Sequence, residues 1–400
     1  MRWCSVLSRD EDLVCATRDL ANQARLQLGE DEPNLLVLFV SSHHAERYRE
    51  ISALLGSEFP SALLLGCSAS SVIGAFEECE EECAIGVAAG VLPGVTFQPF
   101  HLDRAELPEE SDAAAFWQGR LGLPADGQAG FVLLADPFSC DVDGLVAGLD
   151  AAFVDAVKVG GLASGGNSPG ENALYLGSEV HRTGVVGVAM SGDLSIDVVV
   201  AQGCRPVGEP VFVTRSNENV LLELDGKPAF DVLTEVYKGL SPADQELAGQ
   251  SLFVGIGLEG PDGTYGSGDF LVRNLVGIDR RNRTLVVGGM VTDGAVLQFH
   301  LREKFASARD LDERLARAAD HGAARSAGGL LFSCLGRGRH LYGEPNHDSD
   351  ALRRHLGPVP VAGFFGNGEI GPLAERTFVH GYTSVLALFR PAAVADPEAD

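Results

Sequence analysis

The sequence has few basic residues for its length and no long uninterrupted apolar run. Its 30 lysine and arginine residues are outnumbered by 56 aspartate and glutamate residues, giving a formal net charge of −26. That charge repels DNA, RNA and anionic lipid, so nucleic-acid binding is disfavoured. No run approaches the roughly 18 apolar residues of a membrane span, and the N-terminus lacks the apolar region of a secretory signal. We therefore expect a soluble cytoplasmic protein with no membrane segment.

Disulfide and metal-site patterns are absent as well. The 8 cysteines are scattered through the chain, and Cys67, Cys140 and Cys334 sit in or beside apolar runs, as reduced core cysteines do in cytosolic proteins. Cys79 and Cys83 are separated by three glutamates, which is not a zinc-ribbon spacing. The sequence predicts neither a disulfide framework nor a metal site.

The composition is that of an ordinary globular protein. With 400 residues, 45% of them hydrophobic and 22% charged, the chain is long enough to bury a large core. Length alone corresponds to roughly two or three domains.

A short apolar run that ends on glycine and opens into a small-residue loop occurs three times. The copies lie at 63–74 (LLLGCSASSVIG), 157–166 (VKVGGLASGG) and 359–371 (VPVAGFFGNGEIG). In each copy a preceding apolar run begins about 30 residues before the key glycine, namely Gly66, Gly161 or Gly363, and a third apolar run follows. Such spacing predicts a repeated strand–helix–strand–loop–strand unit. A helical crossover makes the first two strands parallel and gathers the loops at one edge.

The middle of the chain has a different sequence pattern. From about residue 203, short apolar runs alternate with polar turns, which predicts an antiparallel sheet. The acidic stretch at 77–82 is expected to be a solvated loop. The predicted fold class is therefore α/β, with the repeated units forming mixed sheets covered by helices and with an antiparallel β-rich middle region. The predicted segments are a helical segment (1–28), an N-terminal domain with two units (29–215), a C-terminal domain with the antiparallel part and the third unit (216–391), and a disordered acidic tail (392–400).

Two familiar motifs occur without the context that they require. Residues 255–260 (GIGLEG) spell a dinucleotide-binding fingerprint, but the proline- and glycine-rich segment that follows does not predict the necessary helix. Residues 166–170 (GNSPG) spell a hydrolase elbow, and again no helix is predicted after the serine. Neither motif is retained as a functional site.

The third copy brings polar side chains to the ends of its strands. Cys334 and Arg337 end its first strand, and Glu369 ends its second. Parallel strands place these residues at one sheet edge, where α/β proteins bind ligands. An arginine there suits a carboxylate or phosphate, and a glutamate suits an amine. The alternative is that Arg337 and Glu369 pair only with each other.

Other candidate residues have weaker patterns. The loop at 66–71 offers backbone N–H groups and hydroxyls that suit an anion or simply a tight turn. Cys67 in this loop has no base beside it in sequence. Among the 10 histidines, His380 at the head of a strand is the best candidate ligand or hydrogen-bonding group.

Several strings make the chain resemble the FIST family, a sensory module with N-terminal and C-terminal parts. In family order they are LLVLFV (35–40), LGCSA (65–69), VGGLA (159–163), GVVGVA (184–189), ELDGKPA (223–229), LVRN (271–274), FSCLGR (332–337) and GFFGNGEIGP (363–372). The resemblance implies a cytosolic ligand-sensing domain of signal transduction, with amino acids among the ligands proposed for the family. The resemblance also implies haem as a candidate cofactor, because some members resemble haem-binding nitric oxide sensors. A eukaryotic branch joins the module to an F-box. No kinase, receiver, cyclase or F-box segment is seen here, so a separate output protein is expected.

Three functional hypotheses follow. The first is a non-enzymatic sensor of an amino acid or similar polar metabolite, with Arg337 and Arg273 holding a carboxylate and Glu369 an amine. The second is a haem-based nitric oxide or gas sensor with a histidine such as His380 as axial ligand. The third is an enzyme with Cys67 or Cys334 as nucleophile. The predicted ligand-binding residues are Gly66, Cys67, Ser68, Gly161, Arg273, Cys334, Arg337, Glu369, His380 and Thr383, with no catalytic or metal-binding residue. The ligand, the cofactor and the oligomeric state stay open.

Overall fold

The structure is a computed structural model that describes residues 1–108, 110–124, 129–258, 265 and 268–392. The predicted acidic tail therefore lies, apart from its first residue, outside the described residues. The helices are α1 (Leu13–Leu28), α2 (Tyr48–Glu58), α3 (Ala113–Leu121), α4 (Val142–Ala152), α5 (Ala229–Gly239), α6 (Pro242–Ser251), α7 (Lys304–Asp320), α8 (Arg339–Tyr342) and α9 (His347–Leu356). Within the described ranges, no helix combines the length and apolar composition needed to cross a bilayer.

Strands make up the larger part of the regular structure. They are β1 (Arg2–Ser8), β2 (Leu35–Ser41), β3 (Leu63–Ala69), β4 (Ser71–Gly74), β5 (Glu77–Cys79), β6 (Ile85–Val91), β7 (Val95–Leu102), β8 (Ala129–Ala135), β9 (Val157–Leu162), β10 (Leu174–Leu176), β11 (Glu179–His181), β12 (Val185–Gly192), β13 (Ser195–Ala201), β14 (Cys204–Asn217), β15 (Val220–Leu224), β16 (Lys227–Pro228), β17 (Leu252–Gly257), β18 (Phe270–Asp279), β19 (Thr284–Val287), β20 (Val296–Arg302), β21 (Gly328–Cys334), β22 (Val361–Gly366), β23 (Glu369–Leu373), β24 (Arg376–His380) and β25 (Ser384–Arg390).

Three sheets of the described chain share one strand order. Sheet 1 is β1-β6-β2-β3-β10-β11, sheet 2 is β7-β12-β8-β9-β23-β24 and sheet 3 is β13-β25-β21-β22-β4-β5. In each sheet the helix-connected pair is parallel, namely β2 with β3, β8 with β9 and β21 with β22. The next strand then returns antiparallel to the first member of that pair. The predicted α/β fold class, with mixed sheets, covering helices and an antiparallel middle region, is confirmed.

These pairings divide the chain into three units that differ from the predicted segments. Unit 1 spans β1 to β6, unit 2 spans β7 to β12, and unit 3 combines β13 with α7 and β21 to β25. Residues 2–8 form the edge strand β1 of sheet 1 rather than part of a helical segment. The predicted boundary at residue 215 falls inside β14.

An antiparallel sheet is inserted into unit 3 between β13 and α7. Its order is β14-β20-β17-β18-β19-β15-β16, and β15 pairs back with β14, so the sheet closes on itself. It encloses its own apolar core, which includes Leu221, Leu297 and Phe299, and α5 adds Val232 and Leu233. The expected antiparallel middle region is therefore a closed insertion.

The loop of each unit forms a hairpin that joins the sheet of another unit. Hairpin β4–β5 of unit 1 pairs with β22 in sheet 3, β10–β11 of unit 2 pairs with β3 in sheet 1, and β23–β24 of unit 3 pairs with β9 in sheet 2. We call these the exchanged hairpins. Between the sheets lies a shared core in which Phe39 of unit 1 stacks on Phe364 of unit 3 with ring centroids 5.1 Å apart. The three units therefore interlock.

The repeated glycine has a steric cause. A Cβ atom on Gly66 would lie 2.4 Å from the Leu38 carbonyl oxygen, and one on Gly363 would lie 1.9 Å from that of Leu331. In unit 2 the equivalent position is Gly160, not the predicted Gly161, because it pairs with Leu133 and its Cβ would lie 1.8 Å from that carbonyl oxygen. Only glycine fits where the two parallel strands approach this closely.

Candidate functional site

The exchanged hairpin of unit 3 brings several predicted residues together. Glu369 on β23 is in register with Gly161 on β9 and with His380 on β24. At the ends of β21 and β25, the Cys334 amide donates to the Thr383 carbonyl at 3.0 Å. We call Gly161, Cys334, Glu369, His380 and Thr383 the Glu369 cluster. The fold of unit 3, to which strand exchange adds Gly161 of unit 2, therefore assembles half of the predicted ligand-binding residues.

The Glu369 carboxyl group is incompletely satisfied. Its side chain is completely buried, and Oε2 accepts a hydrogen bond from the Thr383 amide at 3.2 Å. Oε1 has no hydrogen-bond partner among the described residues. Burial raises the pKa of Glu369 well above its usual range, although the Thr383 amide, the Arg337 guanidinium and the weak donor of the Cys334 thiol act in the opposite direction. A buried carboxyl oxygen without a partner is energetically costly and marks a position where a hydrogen-bond donor would be favourable.

The two candidate nucleophilic cysteines lie in apolar surroundings. Cys67 is completely buried in β3, and burial raises the pKa of its thiol well above the ordinary value. Burial, together with the nearby Glu369 carboxylate, raises the pKa of Cys334 to about 12. Nucleophilic cysteines are activated by the opposite shift. The geometry therefore gives no support to the cysteine-nucleophile hypothesis.

Arg302, which the sequence reasoning missed, lies beside this cluster. Its Nη1 approaches the Gly336 carbonyl at 3.4 Å, and its guanidinium carbon lies 4.6 Å from the centre of the Tyr382 ring. Its Nε is buried without a hydrogen-bond partner, and no carboxylate of the described residues is within ion-pair distance. Arg302 ends β20, far from the repeats in sequence. The alternation of Gln298, His300 and Arg302 along that strand is the one local sign of a polar face.

Tyr382 forms the rim of the site. Its backbone has φ 62°, in the left-handed region that non-glycine residues rarely adopt. Its hydroxyl donates to Asn274 Oδ1 at 2.7 Å, and its ring lies 4.3 Å from that of Phe253. The contacts join β18 and β17 of the inserted sheet to unit 3, and backbone strain of this kind is often found at ligand sites.

The predicted roles of Arg337 require correction. Its side chain is completely buried, with Nε and Nη2 donating to the Asp348 carboxylate at 3.0 and 3.1 Å and Nη1 donating to Ser307 Oγ at 3.0 Å. Each guanidinium nitrogen thus has a partner within the protein. Arg337 is therefore not an available clamp for a ligand carboxylate. The alternative that it pairs with Glu369 is also wrong, since its partner is Asp348.

Arg273 on β18 contacts the strand that carries His380. Its Nη1 donates to the Val379 carbonyl at 2.7 Å, while its Nη2 is 3.9 Å from the Asp143 carboxylate. The Arg273 side chain is only 14% exposed, whereas that of Asp143 is 76% exposed. Asp143 is therefore a weak, solvated partner, and Arg273 keeps donor capacity for another group.

His380 is a buried neutral imidazole. Its side chain is 3% exposed, and burial lowers the pKa to about 4. Because a carbonyl oxygen only accepts, Nε2 carries the hydrogen that bonds the Gly371 carbonyl at 3.0 Å. Haem ligation through Nε2 would require this buried hydrogen bond to break, so His380 does not fit the axial role. No group of three or more metal-ligating side chains occurs in the described part of the chain.

The remaining predicted residues, Gly66 to Ser68, lie in β3 and make structural contacts. Ser68 Oγ donates to the Ser164 carbonyl at 3.1 Å, and Ser164 Oγ donates to the Phe365 carbonyl at 2.6 Å. The three repeated loops do meet, as the sequence predicts. Their hydroxyl groups are used to join the units.

The dinucleotide-like string has a packing explanation where it is described. A Cβ atom on Gly255 would lie 2.4 Å from His300 Cε1, so glycine is needed for this histidine to pack against β17. The segment that would have to be a helix, from residue 259 to 264, lies outside the described residues.

Comparison with known proteins agrees with this architecture. Residues 34–227 match the FIST N domain and residues 229–372 match the FIST C domain. An uncharacterised protein of Mycobacterium tuberculosis is 35% identical over 383 residues, which cover 96% of this chain and 98% of the relative. An uncharacterised protein of Mycobacterium bovis is 35% identical over 384 residues, covering 94% and 97% respectively. Human F-box only protein 22 is 36% identical over 76 residues, which cover 15% of this chain and 19% of that protein. FIST domains are associated with sensory signal transduction, and this chain belongs to the FIST family.

Proposed function

We propose that this protein is a non-enzymatic sensor that binds a small zwitterionic metabolite, such as an amino acid, at the Glu369 cluster. The observation that carries the proposal is the buried Oε1 atom of Glu369, which lacks a hydrogen-bond partner among the described residues. A ligand ammonium group would supply the missing donor. It would also compensate the charge of the carboxylate, which burial otherwise disfavours.

Arg302 is the proposed partner of the ligand carboxylate. Arg302 Nη1 approaches the Gly336 carbonyl at 3.4 Å, and the Gly336 amide donates to Cys334 Sγ at 3.5 Å, so Arg302 lies near Cys334 in the Glu369 cluster. The Tyr382 and Phe253 rings provide an apolar wall beside them. Arg273 is a second cation at the rim that suits a carboxylate on a ligand side chain. A carboxyl oxygen that lacks a donor and an arginine that lacks a carboxylate partner among the described residues, both near Cys334, match the chemistry of an amino acid better than that of a simple amine or acid.

The output of such a sensor is proposed to pass through a separate protein. Ligand binding at the rim would fix Tyr382 between β18 and unit 3, and would therefore alter how the inserted sheet sits on the three-unit core. A partner that contacts both parts would distinguish the free form from the bound form.

The ligand is identified first by denaturing the purified protein and analysing the released small molecules by mass spectrometry. Thermal-shift titrations then compare amino acids with the amines and carboxylic acids that lack one of the two charged groups. We expect stabilisation by the zwitterion and a much smaller shift with either half-molecule. An absorption spectrum with a haem Soret band would redirect attention to the other histidines.

Single substitutions test which side chains bind the ligand. Glu369→Gln and Arg302→Gln are each expected to abolish most of the ligand-induced shift, while Glu375→Gln, an exposed change on the β23–β24 turn, is expected to retain it. A zwitterion that stabilises the Glu369→Gln variant as strongly as the parent protein would disprove this site. So would equal responses to the zwitterion and to the amine alone.

A further inference from the structure

Strand β13 is an edge strand that has not been assigned a role. It is the outermost strand of sheet 3, and β25 is its only hydrogen-bonded neighbour among the described residues. Residues 195–198 are partly exposed, whereas residues 199–201 are buried. An edge strand presents a row of unpaired N–H and C=O groups that can pair with another chain. The first half of β13 is therefore available for pairing.

Two neighbouring cavities extend along this open edge. One has a volume of about 510 Å³ and the other about 380 Å³, and both are lined by Val157 and Ile196. The larger cavity continues along β13 to Val200 and is closed by α7 and by Pro372 of an exchanged hairpin. We call the two cavities together the β13 groove. The larger cavity runs beside Ile196, Val198 and Val200 of β13, so its shape suits an extended chain more than a compact molecule.

The larger cavity of the groove is locally cationic, while the smaller one is lined by Asp155 and by Arg390. The larger cavity is lined by Arg314, Arg317 and His321 from α7 and its C-terminal end. Arg314 pairs with Asp310 on its own helix at 2.9 Å, but neither Arg317 nor His321 has a carboxylate within ion-pair distance in the described ranges. Asp197, the one acidic residue lining that cavity, is held by Arg390 at 2.7 Å. In a chain with a net charge of −26, this is a local cationic surface.

We propose that the β13 groove is a docking site for an extended acidic peptide segment of a partner protein, which adds to sheet 3 as a further strand. Backbone pairing with residues 195–198 would supply affinity. Successive side chains of a strand point to opposite faces of the sheet. Apolar residues would therefore lie beside Ile196 and Val198, and the alternating carboxylates would lie on the α7 side, near Arg317 and His321. Arg317, which is unpaired within the described part of the chain, would repel a basic segment, which gives the site its selectivity.

The test uses synthetic peptides on the full-length protein. The probe is a fluorescein-labelled hexapeptide of alternating valine and glutamate, and its binding is followed by fluorescence anisotropy. One control peptide replaces each glutamate by lysine, and another carries N-methyl groups on alternate amides, which removes the strand-pairing donors without changing the side-chain charges. We expect saturable binding of the acidic peptide only, with at least tenfold weaker binding of both controls.

Protein variants locate the peptide. Arg317→Ala combined with His321→Ala is expected to weaken binding about tenfold, which corresponds to about 1.4 kcal/mol. Arg309→Ala, which removes a 72% exposed arginine from the same helix, is expected to leave binding unchanged. All of these side chains are exposed, so thermal unfolding should show that each variant is folded.

Several results would overturn the inference. They are no saturable binding of the acidic peptide up to about 1 mM, a weak limit for specific binding, equal binding of the lysine or N-methylated peptide, or equal losses in the Arg309 variant. The test needs no ligand in the Glu369 cluster. Its failure therefore leaves the proposed ligand site untouched, and failure of the ligand site leaves this inference standing.

Discussion

The Arg337 guanidinium and the Asp348 carboxylate are both buried and share two hydrogen bonds, of 3.0 and 3.1 Å. Asp348 lies in the first turn of α9, where a negative charge is favoured by the helix dipole. It also accepts from Ser333 Oγ at 3.1 Å. The pair therefore joins the end of β21, the loop that follows it and the start of α9. This joint sets the position of the loop beside Cys334.

Removing the carboxylate should be strongly destabilising. We expect Asp348→Ala to lower the free energy of unfolding by about 3–5 kcal/mol, because it leaves the buried Arg337 charge uncompensated. Urea denaturation at pH 7 measures the change. The matched control is Asp350→Ala on the same helix, where the pair with Arg353 is exposed and worth less than about 1 kcal/mol. Similar losses in the two variants would contradict the structural role given to Arg337.

Acid should reveal the buried His380. Its pKa is lowered to about 4 in the folded protein by burial, whereas an unfolded histidine titrates near 6.5. As the pH falls below about 6.5, the unfolded state takes up a proton first, so stability declines until about pH 4. The contribution is at most about 3 kcal/mol.

Comparing variants isolates this contribution. His380→Gln retains an N–H donor for the Gly371 carbonyl and cannot titrate. We expect the parent protein to lose more stability than this variant between pH 7 and pH 4.5, as measured by urea denaturation. His43→Gln, a change at an exposed histidine, should behave like the parent. Parallel pH profiles for the parent and His380→Gln would show that folding does not lower the pKa of His380.

The strand–helix–strand order within each unit could be predicted from the sequence, because it depends on residues that are close together in the chain. Apolar runs, an intervening amphipathic helix and a glycine at fixed spacing are enough to predict a parallel strand pair. The exchange of hairpins could not be predicted in this way. Short strands such as β4 and β10 have no local feature that chooses one sheet over another, since their partners lie in different units.

The site was predictable only in part for the same reason. Glu369 and Cys334 follow strand ends within one unit, so their proximity follows from topology. Arg302 extends from the inserted sheet to the loop that follows Cys334, where it contacts Gly336. Asp348 binds Arg337 from the first turn of α9, whose acidic sequence suggests an exposed helix end. Both contacts join segments that no repeat or apolar spacing links in the sequence. That an arginine binds the ligand carboxylate stays a prediction, and the arginine now proposed for this role is Arg302 instead of Arg337.

The repeated glycines allow a sharp steric test. Gly363→Ala should destabilise the protein by about 3 kcal/mol, because its Cβ would lie 1.9 Å from the Leu331 carbonyl oxygen of the paired strand. Gly381→Ala is the control, since no atom of the described residues lies within 4 Å of a Cβ placed there. Thermal or urea unfolding of both variants measures the difference. Equal stability would mean that the strand pair separates easily, contrary to its close packing.

The acidic stretch at 77–82 is not simply the solvated loop that the sequence suggested. Glu78 in β5 is 4% exposed, its Oε1 accepts from the Ser349 amide at 2.7 Å, and its Oε2 has no partner among the described residues. Burial, reinforced by the Asp348 carboxylate, raises the pKa of Glu78 to about 8. This residue fastens the exchanged hairpin of unit 1 to α9.

Glu78 should therefore make the protein less stable as the pH rises. The unfolded carboxyl titrates near 4.3, so its stabilising contribution is present below that pH and is lost as the pH rises towards 8. We expect Glu78→Gln to lose less stability than the parent between pH 5 and pH 8, by at least about 1 kcal/mol. Glu81→Gln, at an exposed position in the same stretch, should leave the profile unchanged. A steeper fall in Glu78→Gln would contradict the assignment.

Glu369 should show a conflict between stability and ligand binding. In the free protein, Glu369 with its raised pKa must either keep its proton or carry a buried charge, and either state lowers the free energy of unfolding by an amount that grows with pH. Glu369→Gln removes that cost, so we expect it to match or exceed the parent in stability at pH 8, by up to about 1 kcal/mol, a common gain at functional sites. The same variant should lose its response to the metabolite released from the parent.

In the parent protein, the affinity for that metabolite should rise with pH, because the Glu369 carboxyl group ionises. Isothermal titration in two buffers of different ionisation enthalpy should detect the release of a proton on binding. A Glu369→Gln protein that is markedly less stable than the parent at pH 8 would mean that Glu369 is a structural residue. The unpartnered oxygen would then no longer support a ligand site.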